Sequence, residues 1–138
     1  MERLAERLAT ARLALGTLAE SLAMEKSRIV RDACIQRFEY TFEAMWKAAQ
    51  TFVKQHEGVE AASPKAVVRA CFRGGVLEEE QSRAAMEMAE DRNLTVHTYN
   101  EQLAEAIYAR LPGQRGIHRG GAEGAEFTGK GVTLPSAT

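Results

Sequence analysis

Cysteine, proline and aromatic residues are few in this chain of 138 residues. The two cysteines, Cys34 and Cys71, form no C-x-x-C pair and have no histidine at metal-ligand spacing. That excludes a disulfide-stapled small domain and a zinc module. Both lie among apolar positions at helical spacing, which reads as buried free thiols in a reducing compartment. Proline occurs three times, and two of the three fall after residue 111, so nothing prevents long helices before it. Aromatic residues make up only 7% of the chain. No apolar run approaches the ~18 residues that span a bilayer. The start, Met1-Glu2-Arg3-Leu4, is amphipathic and mixed in charge, unlike a secretion signal, so a cytoplasmic location is expected. A net charge of -1 excludes nucleic-acid binding by bulk electrostatics but leaves room for a local basic site.

What is present is helix-forming. Ala, Leu, Glu, Arg and Met dominate, and the length fits one domain. Leu4, Leu8, Ala11, Leu15, Leu18 and Leu22 recur at steps of three and four, which predicts a first helix over about 1–23. A second is expected over 28–57, capped by Ser27 and closed by Gly58. Its apolar stripe is Cys34, Phe38, Phe42, Met45, Ala49 and Phe52, widened by Trp46. Gln36, Tyr40, Glu43 and Lys47 form a polar stripe, with Glu43 and Lys47 at ion-pair spacing. This stripe is either a solvated face or a partner-docking face. Ser63-Pro64 announces a third helix with Val67, Val68, Cys71 and Phe72 on its buried side, ended by Gly74-Gly75. A fourth begins near Glu78 with three glutamates in its first turn and carries Ala85, Met86, Met88 and Ala89. Asn100 caps a last helix bearing Leu103, Ala104, Ile107, Tyr108 and Leu111. From Pro112 onward the chain holds seven of the eleven glycines and no periodicity. No repeat, strand pattern or phosphate loop is found. The expected architecture is all-α: an up-and-down bundle of four to five helices over 1–111, then a flexible tail over 112–138, in which His118 is given no role.

The densest polar run is Glu90-Asp91-Arg92-Asn93-Leu94-Thr95-Val96-His97-Thr98-Tyr99, at the junction of the last two helices. On an unbroken helix Arg92 and His97 lie about 140° apart, so their convergence requires the helix to loosen at Asn93, Thr95 and Val96. A histidine titrates near ~6.5 and passes protons at neutral pH. An arginine holds a phosphate or a pentacoordinate phosphorane with a bidentate fork. Together they form a minimal kit for RNA cleavage: the histidine activates a ribose 2′-OH or protonates the leaving oxygen, and the arginine stabilises developing charge. One histidine does not easily serve both proton transfers, and a symmetric dimer would supply the second. The Tyr99 hydroxyl is a substrate contact or an acceptor of a transferred group. The alternative is structural: Arg92 pairs with Asp91 or Glu90, and His97 caps or packs.

Three blocks taken in order carry a resemblance. The first runs from Arg31 to Glu43 and continues in Trp46-Lys47. The second is Ser63-Pro64 with Arg69 to Gly75. The third is Glu90 to Tyr99, followed by Glu101, Leu103, Ala104 and Ile107-Tyr108. Over about 1–111 the chain resembles the nucleotidyltransferase substrate-binding protein family, a branch of the HEPN superfamily. The resemblance implies a helical bundle that dimerises and partners a minimal nucleotidyltransferase on a separate chain, in pairs that look like toxin–antitoxin modules. It also implies two functions. In one, the chain is a non-catalytic subunit that binds substrate for its partner. In the other, it is a metal-independent ribonuclease toxin with Arg92 and His97 catalytic, silenced when the partner attaches AMP to Tyr99. No cofactor or metal is expected. Arg28, Arg31, Arg37 and Lys47 are candidates to line an RNA cleft, although helix geometry alone does not put them beside His97. The chain departs from the family where the last helix usually continues beyond Tyr108.

Overall fold

A computed structural model describes residues 2–111. These form five α-helices and one short 3₁₀ segment: α1 (Glu2–Leu22), α2 (Arg28–Glu57), α3 (Pro64–Arg73), α4 (Glu79–Leu94), the 3₁₀ turn Thr95–His97, and α5 (Glu101–Arg110). The all-helical expectation holds, and the five helices match the expected number. The expected tail over 112–138, with His118, lies outside the described residues.

Local chemistry explains the boundaries. The Ser27 hydroxyl accepts from the Val30 amide at 3.0 Å, and the Ser63 hydroxyl accepts from the Ala66 amide at 3.2 Å. Each satisfies a donor that the first turn of a helix leaves open. Gly58 ends α2 at φ 70°, a left-handed conformation that costs glycine nothing. At the head of α4, Glu78 and Gln81 cap each other reciprocally.

Helix α2 is the spine. Leu4, Leu8, Ala11, Leu15 and Leu18 of α1 are all buried. The first two of these meet Ala48 and Phe52 near the end of α2. Leu15 and Leu18 instead join the cluster of Cys34 and Phe38 near its start. The two helices are therefore antiparallel. Each leucine so buried contributes about 1.5–3 kcal/mol. The other side of α2 packs α4 and α5 through Phe42, Met45, Met88, Ala104 and Ile107. A second cluster (Val53, Val67, Val68, Cys71, Leu77 and Ala85) seats α3 between the end of α2 and the start of α4.

One core expectation is corrected. Phe72 is 45% exposed, and Ala70 is buried in its place. At about 100° per residue, Ala70, Val67, Cys71 and Val68 span one arc of α3, and Phe72 falls about 120° from its centre. Both cysteines are buried free thiols.

Candidate functional site

The junction between α4 and α5 is set by what its residues bond. Helix α4 stops at Leu94, and three residues of tighter 3₁₀ winding follow. The Thr95 hydroxyl donates to the Arg92 carbonyl at 2.8 Å. The Thr98 hydroxyl and amide both donate to the Thr95 carbonyl, at 3.0 and 3.4 Å. Threonine and valine are stiff at χ1, and threonine hydroxyls compete for helical carbonyls. The Asn100 amide then donates to the His97 carbonyl at 3.0 Å, and the Asn100 side chain accepts from the Leu103 amide at 3.1 Å. The helix thus loosens between Arg92 and His97, the condition for their convergence.

The ends of this turn are clamped. Asp91, only 8% exposed, receives three hydrogen bonds from Arg110 at 2.7–3.1 Å. Glu90 pairs instead with Lys65 at 3.3 Å. Both acidic neighbours are therefore engaged elsewhere, and the structural alternative that gave Arg92 to one of them is not what the fold adopts.

Arg92 turns toward α2. Its guanidinium lies 3.7 Å from a Glu43 oxygen and 4.0 Å from a Glu39 oxygen, beyond good hydrogen-bond length. Its Nη1 reaches the Thr95 hydroxyl at 3.4 Å, and its buried Nε has no partner. A guanidinium carries five donors, so this one is held loosely. Glu43 also accepts from the Trp46 indole at 3.3 Å, so its carboxylate serves Arg92 and Trp46 in place of the expected pair with Lys47.

His97 and Tyr99 face solvent. Tyr99 is 82% exposed. Its hydroxyl stands 3.4 Å from His97 Nδ1, and the rings meet edge to face with centroids 5.9 Å apart. Leu94 and Val96 are exposed on the same turn. Among the described residues no group of three or more His, Cys, Asp or Glu is placed to hold a metal ion. No described helix is long and apolar enough to cross a membrane.

A family model described as nucleotidyltransferase substrate binding protein like matches residues 6–114. The chain belongs to that family. A crystal structure of a protein from Thermus thermophilus is similar to it at 54% identity, with a TM-score of 0.72 over 76% of this chain and 90% of that one. No curated protein matches.

Within this nucleotidyltransferase substrate-binding fold, the four basic residues expected as cleft contributors go to different places. Arg31 is 2% exposed and is bonded to Asp32, Glu101 and Glu105 at 2.8–3.0 Å. Arg37 donates to the Thr17 carbonyl at 2.6 Å. Lys47 lies on a cleft between α1 and α2. Arg28 donates to Glu101 at 2.7 Å, so Arg28 and Arg31 both reach the first residue of α5, just after the turn. Arg31 and Glu101 hold each other charged: the carboxylates raise the Arg31 pKa above its ordinary value against the opposing effect of burial, and Arg31 and Arg28 lower that of Glu101. Glu39 and Glu43, the groups facing Arg92, are not among the residues that the sequence pattern singles out for the site. The signal available is two acids four apart on α2, hence on one side of it.

Proposed function

We propose that this chain is the small helical partner subunit of a nucleotidyltransferase, and that the α4–α5 turn is where the two proteins work together. The observation that carries this reading is the exposure of Tyr99 at the apex of a turn clamped on both sides. An aromatic residue left in water beside exposed Val96 and Leu94 is the kind of anchor that protein interfaces bury. The family's description names nucleotidyltransferase substrates, which supports a nucleotidyltransferase as the partner. The test is co-expression with a minimal nucleotidyltransferase from the same genome. The two chains are expected to co-purify, and Tyr99→Ala combined with Val96→Asp is expected to separate them. Co-purification that survives the double variant overturns the assignment of the turn.

A second reading is favoured by the looseness of Arg92 and the nearness of Tyr99 to His97. The chain is then a HEPN-type toxin, a homodimeric ribonuclease with Arg92 and His97 catalytic. His97 takes the proton of a ribose 2′-OH as that oxygen attacks the adjacent phosphorus. The 5′ oxygen leaves and is protonated by the partner protomer's histidine, giving a 2′,3′-cyclic phosphate. Arg92 holds the non-bridging oxygens. AMP transfer silences it: the Tyr99 oxygen attacks the α-phosphorus of ATP, pyrophosphate leaves, and an unprotonated His97 Nδ1 accepts the phenolic proton. Expression of the chain alone is expected to arrest bacterial growth, and His97→Ala at matched level is expected to relieve the arrest. Healthy growth with soluble wild-type chain contradicts this second reading and leaves the subunit reading standing.

A further inference from the structure

The α1–α2 cleft joins three cationic side chains that the bundle itself does not use. It is an open groove of roughly 530 Å³ lined by Arg3, Arg7 and Lys47 with Tyr40, Glu6 and Glu43. That volume lies in the range of small-molecule sites. Most basic groups elsewhere are engaged: Lys26, Arg28, Arg31, Arg37, Lys65, Arg83 and Arg110 all have carboxylate partners. Arg3, Arg7 and Lys47 have no ion pair with any described residue. The Nε of Arg7 is also covered and has no acceptor, an unmet demand that a fold does not leave open without cost. Of the two carboxylates on the cleft, Glu43 is drawn toward Arg92 at 3.7 Å and accepts from Trp46. The opening therefore keeps an excess of positive charge.

We propose that this cleft binds a polyphosphate group, and that Glu43 couples its occupancy to Arg92. A polyvalent anion is the ligand that engages guanidinium and ammonium groups from two helices at once. Glu43 is common to both places, because the residue lines the cleft and its carboxylate is the nearest one to Arg92. An anion in the cleft repels Glu43 and draws Arg3, Arg7 and Lys47 inward, which alters the hold on Arg92. The anion site rests on these observations alone. Only its coupling to Arg92 bears on the function proposed for the α4–α5 turn.

The test titrates the full chain with inorganic pyrophosphate at low salt by calorimetry. One saturable site per chain is expected, weakened by added salt. Lys47→Ala and Arg7→Ala are each expected to weaken it about tenfold. Arg69→Ala, on the exposed side of α3, leaves it unchanged. Circular dichroism checks the fold, and exposed Lys47 keeps the test open if Arg7→Ala does not fold. Glu43→Gln is expected to tighten binding. The Arg92 Nε–Hε resonance is expected to shift on titration in wild type and not in Glu43→Gln. Competition by ATP at the same site places the polyphosphate on a nucleotide, and pyrophosphate binding without it marks a free anion as the ligand. No saturable binding, or binding indifferent to Lys47 and Arg7, overturns the site. Binding without a shift at Arg92 overturns the coupling.

Discussion

Arg110 donates three hydrogen bonds to Asp91, 19 residues before it, and so ties the last turn of α5 to the last turn of α4. Between these anchors lie Arg92, His97 and Tyr99. The pair gives a nearly buried carboxylate its hydrogen-bond donors, and it stops Asp91 from competing for Arg92. Arg110→Ala leaves that carboxylate without its main partner and is expected to cost about 1–3 kcal/mol. Chemical denaturation measures the loss. A change near zero would mean that the clamp does not hold the junction.

Asn100 closes the turn from the other side. Its side chain caps α5, so Asn100→Ala is expected to lose about 1 kcal/mol, and Asn100→Gly only a few tenths. Amide exchange of Thr98 to Leu103 in the two variants reports whether the loss is local to the turn.

Acid destabilisation follows from the network at the start of α2. Arg31 and Arg28 lower the pKa of Glu101, and Lys26 and Arg31 lower that of Glu105. A carboxylate whose folded pKa is depressed adds stability that is fully present above its unfolded value, near ~4.3, and is lost as pH falls through the folded one. Melting temperatures of wild type and of Glu101→Gln with Glu105→Gln should therefore differ at neutral pH and converge below the ordinary carboxylate range. A constant difference from neutral to strongly acid solution would show that the two charges contribute nothing.

The thiols should be silent in the native state. Burial, helped by the nearby Glu57 carboxylate, pushes the Cys71 thiol up to about 11, and burial raises that of Cys34. Few thiolates exist under mildly alkaline labelling conditions, and neither sulfur is accessible. Labelling by a thiol reagent is expected only at the rate of unfolding. Rapid labelling of the folded chain would contradict the packing of both core clusters.

Much of this architecture is legible in the residues. The seam from Leu4 to Leu18, the caps at Ser27, Ser63 and Asn100, and the close at Gly58 are local signals, and local chemistry alone produces the helix boundaries. Phe72 is misjudged from its hydrophobicity because a ten-residue helix has room for only a narrow buried arc, and hydrophobicity does not say which residues fill it. The loosening between Arg92 and His97 is readable from Asn93, Thr95 and Val96. The partners of Arg92 are not. That Asp91 goes to Arg110, Glu90 to Lys65, and Glu43 to Arg92 rather than Lys47 depends on how α2, α3, α4 and α5 meet. Equally plausible short-range pairs within a helix give no sign of it. Arg31 is the sharpest case. An arginine in the first turn of α2 reads as a surface charge, yet it is buried because α5 brings Glu101 and Glu105 to it.

The most direct test of the α4–α5 turn as the working surface is the affinity of the purified nucleotidyltransferase partner for this chain. It would be titrated against wild type, against the Tyr99→Ala and Val96→Asp double variant, and against Arg69→Ala as an exposed control. Tight wild-type binding that falls at least about tenfold in the double variant and holds in the control is the predicted result. Equal affinity for all three chains, or no binding to wild type, would contradict it.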